Sequence, residues 1–122
     1  MHPHHLALKV GNLQKMGNFY GRFLGLSMQD RKYDEKGRLR SIWLKAGNLI
    51  LMLEKGKGSL RSGRGWYLFA LSIQARKKEF WRKKLRLKKV KIEHESAHSL
   101  YFRDPEGNRL ALSHYPFKTK FL

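Results

Sequence analysis

The stretch Tyr101-Phe-Arg-Asp-Pro-Glu-Gly-Asn-Arg-Leu-Ala-Leu112 decides the fold. Its two ends read as strands, and Asp104-Pro-Glu-Gly-Asn108 between them is turn chemistry. Pro105 presets one backbone dihedral, Asp104 is suited to accept hydrogen bonds from its own turn, and Gly107 adopts conformations other residues avoid. Two strands joined this way form a hairpin. The flanking sequence extends it to strands over Ser99 to Arg103 and Arg109 to Ser113. Upstream, Lys89 to His94 reads as a strand and Ala75 to Leu85 as a helix that turns Trp81 and Leu85 inward. Trp66 to Ile73 reads as the strand that opens the unit. The order is β-α-β-β-β.

The same order stands in the first half. His5 to Val10 alternates as a strand does, and Asn12 can cap the helix that follows. In that helix Leu13, Met16, Tyr20, Phe23 and Leu24 recur at helical spacing, and Gly25 ends it. Leu26 to Tyr33, Leu39 to Lys45 and Leu49 to Glu54 are strands, separated by turns at Asp34-Glu-Lys-Gly37 and Ala46-Gly-Asn48. The halves align: His5–Val10 over Leu68–Ile73, Ile42–Lys45 over Leu100–Arg103, and Gly47–Leu51 over Gly107–Ala111. Lys55 to Gly65, with four glycines and four basic residues, reads as a linker. The chain is therefore expected to be α+β: two tandem βαβββ modules, 1–54 and 66–122, joined by linker 55–65. One module has too few strands to bury its own apolar face. Two side by side are expected to give one eight-stranded curved mixed sheet around a cleft.

With 122 residues and a mass of 14.4 kDa the chain has the length of one domain. The absence of cysteine excludes disulfides, thiolate metal sites and thiol nucleophiles. No apolar run approaches the roughly 18 residues of a membrane helix. Met1-His-Pro-His-His5 leads straight into a strand without the features of a secretory leader, so the expected setting is the cytoplasm, with no membrane partner. Nothing resembles a nucleophile elbow, a P-loop or a dinucleotide fingerprint.

Three stretches carry a family resemblance: His5-Leu-Ala-Leu-Lys-Val-Gly-Asn-Leu13, Asn18-Phe-Tyr-Gly-Arg-Phe-Leu-Gly-Leu26 and Tyr101 to Leu112. Together they resemble the vicinal oxygen chelate superfamily, which includes glyoxalase I, fosfomycin- and bleomycin-resistance proteins and extradiol dioxygenases. The resemblance implies the paired βαβββ fold and a homodimer. In metal-using members it implies a divalent ion held from the first and last strands of each half. Those positions here are His5, Leu51, Leu68 and Ala111. Only the histidine is a metal ligand by type, so no cofactor is expected and a divalent metal is disfavoured. Glu54 is the one further candidate. In a regular strand it lies opposite Leu51, and a bulge or register slip turns it inward beside His5. His98 and His114 are metal ligands by type, but alternation turns both away from the cleft.

Alternation lines the expected cleft with His5, Lys9, Ser41, Trp43, Leu51, Leu68, Ser72, Ser99, Tyr101, Arg109 and Ala111. Such a cup suits a small molecule that is partly apolar and anionic. The same residues also fit a cup filled by its own side chains, although a buried Lys9 without an anion is costly. No pair of acids falls on this face, which leaves only His5 as a lone base and Tyr101 as a proton donor. The leading expectation is metal-independent binding or sequestration of a small molecule. The alternative is an enzyme of glyoxalase, isomerase or dioxygenase type with an atypical metal site.

The chain carries 27 Lys+Arg against 9 Asp+Glu, a net charge of +18. The first 61 residues hold 12 and 4 of these, the last 61 hold 15 and 5, so most of the charge is diffuse. Only Arg76 to Lys91 concentrates it, with ten basic residues and one acid in sixteen positions. That segment is a candidate surface for non-specific polyanion or nucleic-acid binding, which makes a nucleic-acid-associated protein the third expectation.

Overall fold

The computed structural model describes residues 1–56 and 68–116. The chain divides into two compact units, Met1–Ser62 and Gly63–Leu122. Positions 57–65 of the expected linker, and Trp66 and Tyr67 of the expected fifth strand, lie outside the described residues.

In the first unit β1 (His5–Val10) leads into α1 (Leu13–Gly17), then β2 (Ser27–Tyr33), β3 (Leu39–Ala46) and β4 (Leu49–Lys55). Asn12 caps α1, its side chain accepting from the Lys15 amide at 3.0 Å. The helix then widens into a π-helical turn over Asn18–Phe23, where the Leu24 amide donates to the Phe19 carbonyl at 2.9 Å. Gly25, at φ +87°, ends it. The sheet order is β1-β4-β3-β2, with β1 parallel to β4 and the other pairs antiparallel.

One face of this sheet is covered by the helix. Val10, Ile42, Leu44, Leu51 and Leu53 are buried there together with Leu13, Met16, Tyr20 and Phe23. The helix seats closely enough that a Cβ on Gly17 would stand 2.8 Å from Ile42 Cδ1. The opposite face carries no helix from this unit.

The second unit repeats the plan. β5 (Phe69–Ser72) is followed by a 3₁₀ turn (Ala75–Lys77) that runs into α2 (Lys78–Leu87), then by β6 (His94–Glu95), β7 (Ser99–Arg103) and β8 (Arg109–Ser113). The sheet order is β5-β8-β7-β6, again with the outer first strand parallel to the last. Leu85, Leu100, Phe102, Leu110 and Leu112 form its core. The two four-stranded sheets are those of the βαβββ module, and the class is α+β.

Two sequence readings change. The strand expected over Lys89 to His94 shrinks to His94–Glu95. Lys89 takes φ +62° and, with Val90, bonds back to the end of α2, so the backbone there is spent on ending the helix. Trp81 is half-buried rather than enclosed, and Leu85 alone of α2 is fully buried.

The deciding turn is braced as its sequence implies. Asp104, 4% exposed, accepts the Glu106 and Asn108 amides at 2.9 Å each and the Asn108 side-chain amide at 2.7 Å. Asp34 does the same for its own hairpin, accepting the Lys36 and Arg38 amides at 2.9 Å. The Arg38 amide, followed by its guanidinium and the Lys36 amide, lowers the pKa of Asp34.

Candidate functional site

Residues paired across a ladder point to the same face of a sheet. In the first unit His5 pairs with Ile50, Ala7 with Met52 and Lys9 with Glu54. On the other side of β4, Met52 pairs with Trp43, Ile50 with Lys45 and Glu54 with Ser41. Trp43 in turn pairs with Asp30, and Ser41 with Lys32. The helix-free face therefore carries His5, Lys9, Ser41, Trp43, Lys45, Met52 and Glu54, with Asp30 and Lys32 at its β2 edge.

Leu51 does not belong to this face. It pairs with Leu6 and Leu44 and is fully buried under α1. The expected alignment of Gly47–Leu51 over Gly107–Ala111 slips by one residue. The β3–β4 hairpin closes on Ala46 and Leu49 with two loop residues, whereas β7–β8 closes on Arg103 and Arg109 with Asp104 to Asn108 between them. Equating the two Gly-Asn pairs therefore misplaces β4, and a one-residue slip exchanges the faces. The structural equivalent of Ala111 is Met52, because Ala111 pairs with Tyr101 as Met52 pairs with Trp43. Glu54 consequently shares the face of His5 without any bulge in β4.

Trp43 is the centre of this face. Its Nε1 donates to the hydroxyl of Ser41 at 2.8 Å, and Lys32 Nζ stands 5.0 Å from its ring centroid. Lys32 also pairs with Asp30 at 2.8 Å, and that hydrogen bond, followed by the Arg31 amide, lowers the pKa of Asp30. The result is an indole held edge-on by a buried serine and faced by an ammonium. Asp30, Lys32, Lys45 and Met52 were missed by sequence reasoning. Pairing across β3 from Ser41 and Trp43 was the signal that could have found the first two.

In the second unit the helix-free face carries Ala70, Ser72, Ser99, Tyr101, Arg109, Ala111 and Ser113, with His94 beside Tyr101. Ser99 donates to the Ser113 hydroxyl at 2.7 Å, and the His94 and Tyr101 rings lie 5.4 Å apart. Arg103 is held by Glu93 at 2.7 Å and by the Gly107 carbonyl at 2.8 Å. Leu68 precedes β5 and is 46% exposed. His98 and His114 sit together, with ring centroids 5.2 Å apart, at positions of opposite parity to Ser99 and Ser113. In the first unit the Nδ1 atoms of His4 and His5 are 2.9 Å apart, so one ring donates to the other.

With the register corrected, the four positions at which the family resemblance places metal ligands are His5, Met52, Leu68 and Ala111. Among the described residues no group of three or more His, Cys, Asp and Glu is placed to hold a metal ion. No helix among them is long and apolar enough to cross a membrane.

The chain is similar to several solved structures. The fosfomycin resistance protein FosX from Listeria monocytogenes, complexed with Mn(II) and sulfate, is 19% identical with a TM-score of 0.79, over 100% of this chain and 98% of that one. A lactoylglutathione lyase from Agrobacterium tumefaciens is 21% identical with a TM-score of 0.69, over 90% of each chain. A glyoxalase/dioxygenase from Nostoc punctiforme is 21% identical with a TM-score of 0.72, over 93% and 90%. At these identities the likeness is one of fold. No curated protein matches the chain. The family model that matches residues 2–112 covers both modules, and on it the chain belongs to the Glyoxalase/Bleomycin resistance protein/Dioxygenase superfamily.

Proposed function

We propose that the protein binds a small, partly apolar anion on its helix-free sheet faces without a metal ion. One observation carries this reading: the residues at the four ligand positions. Methionine, leucine and alanine stand at three of them, and the fourth, His5, has no second nitrogen or oxygen ligand at an equivalent position. Glu54 stands directly across from Lys9 in the ladder and is the one carboxylate that shares the face of His5 in the interior of β4. This donor set does not fit a divalent ion, which needs several nitrogen or oxygen ligands converging on one point.

What the faces offer instead is recognition. On the first unit's face Lys9 and Lys32 supply positive charge beside the aromatic surface of Trp43; on the second unit's face Arg109 supplies the charge, Tyr101 the aromatic surface, and Ser72, Ser99 and Ser113 the hydroxyls. A few polar groups set among aromatic and aliphatic surface suit a small organic acid. The same reading takes the protein to be a cytoplasmic homodimer, which light scattering at two concentrations tests.

The test uses simple probes: phenylphosphonate, propylphosphonate and sulfate, titrated calorimetrically and by tryptophan fluorescence, each with EDTA and with Mn(II). Binding of an aromatic phosphonate that EDTA leaves unchanged and W43A abolishes is the expected result. Mn(II) bound at one per chain, with phosphonate binding or turnover only in its presence, would overturn the proposal in favour of the enzyme alternative.

A further inference from the structure

The basic second helix is a surface separate from the helix-free face of its own unit, and its side chains are arranged in two sets. The inner set fastens α2 to its own unit. Lys78 donates to the Ser96 carbonyl at 2.8 Å, and Arg82 grips Glu95 through two nitrogens at 3.1 and 2.6 Å while also meeting Glu79. That pairing, led by the hydrogen bond from Arg82, lowers the pKa of Glu95. Leu85 is buried and α2 packs on β7.

The outer set is different. Phe80, Lys83, Lys84 and Leu87 recur at helical spacing on the solvent side, with Arg76 and Lys77 added by the preceding 3₁₀ turn. Phe80 is 50% exposed; Lys77 Nζ lies over its ring at 5.0 Å, and Lys84 Nζ reaches it at 5.9 Å while standing nearer the ring of Trp81, at 4.5 Å, so a base stacking on Phe80 displaces an ammonium toward the phosphates. Beyond the end of α2 lies a surface groove lined by Arg86, Val90, Lys91, Ile92, His94 and Glu95.

We propose that this outer stripe of α2 binds single-stranded nucleic acid. A base stacks on Phe80, phosphates take the ammoniums of Lys77, Lys83 and Lys84, and the strand continues past Arg86 into the groove. Charge complementarity supports a polyanion, and an exposed aromatic ring among cations is the arrangement by which single strands are held without sequence preference. A membrane fits less well. The apolar side of α2 is spent on its own sheet, and the outward Phe80 and Leu87 are separated by Lys83, so no continuous apolar face remains.

The test titrates the full chain against a labelled oligothymidine and an abasic strand of the same length, by fluorescence anisotropy. Base stacking makes oligothymidine bind about tenfold tighter than the abasic strand. F80A removes that preference and F80W keeps it. For these three phosphate contacts the slope of log affinity against log salt is about −2, and K83E/K84E makes it shallower by between one and two. Equal affinity for the two strands overturns the proposal, as does an F80A variant that behaves like the parent. Binding to anionic phosphatidylserine vesicles at a salt concentration where oligothymidine does not bind overturns it too, in favour of a lipid surface.

Discussion

Carboxylates introduced at two adjacent positions, L51E and M52E, are expected to meet opposite fates. Leu51 is fully buried between Leu6 and Leu44 under α1, whereas Met52 lies half-buried on the helix-free face between Ala7 and Trp43. L51E removes roughly 2–3 kcal/mol of apolar burial. It also places a carboxyl group where water does not reach. There the group must stay protonated, at about 1.4 kcal/mol per pKa unit over roughly 3 units. Together these cost about 6–7 kcal/mol, the size of a small domain's entire stability, so L51E is largely unfolded at pH 7. M52E gives up about 1 kcal/mol of partial burial and keeps its carboxylate in contact with water.

Urea denaturation followed by far-UV circular dichroism separates the two. For m near 1–1.5 kcal/mol/M, M52E moves the midpoint by less than about 1 M, while L51E shows no native baseline at pH 7. The sign with pH follows from the raised folded-state pKa of the buried carboxyl. Relative to the parent, L51E is least destabilised below the unfolded pKa of about 4.3 and loses stability as pH rises above it. M52E shows no such trend. Equal midpoints, or a more stable L51E, would refute the register and the site assignment drawn from it.

D104A removes an acceptor of three hydrogen bonds and strands the buried Asn108 amide, so a loss of about 3 kcal/mol in urea titrations is expected; D34A, in the more exposed hairpin, loses about 1 kcal/mol. S41A leaves the indole nitrogen of Trp43 without its acceptor and costs about 1 kcal/mol, with a shift in tryptophan emission as the second readout. E95Q lowers the thermal midpoint at pH 7. The native pKa of Glu95 is depressed by Arg82 and Lys78, so its contribution is present above the unfolded value and is lost as pH falls through the folded one. The gap between E95Q and the parent therefore closes in acid, and a gap that persists at pH 2.5 would count against the ion pair as its cause.

Local chemistry made most of the architecture legible. Asn12 as a cap, Gly25 as a stop, and the Asp-x-x-Gly turns at Asp34 and Asp104 act within a few residues of themselves, so the chain order β-α-β-β-β could be read twice without a partner in view. Alternation placed His5, Ala7 and Lys9 together because polar and apolar residues take turns along β1. Ser41 and Trp43 were legible for the same reason, since Ile42 and Leu44 between them are core residues.

β4 carried no such signal. Leu49-Ile-Leu-Met-Leu53 is apolar at every position, so nothing in the strand itself says which residues point to the helix. Only its ladders with β1 and β3 decide that, and they turn Leu51 into the core and bring Met52 and Glu54 onto the face of His5. The length of β6 and the π-turn after α1 escaped for a different reason: both turn on local backbone bonds, Lys89 and Val90 back to the end of α2 and Leu24 back to Phe19, that no side chain announces. The sequence by itself determined a duplicated βαβββ protein with a metal-ligand type, His5, at only one of the positions where the family resemblance places them. The tertiary structure decided which residue of β4 stands at the fourth position, because a side chain's face belongs to the pairing and not to the residue.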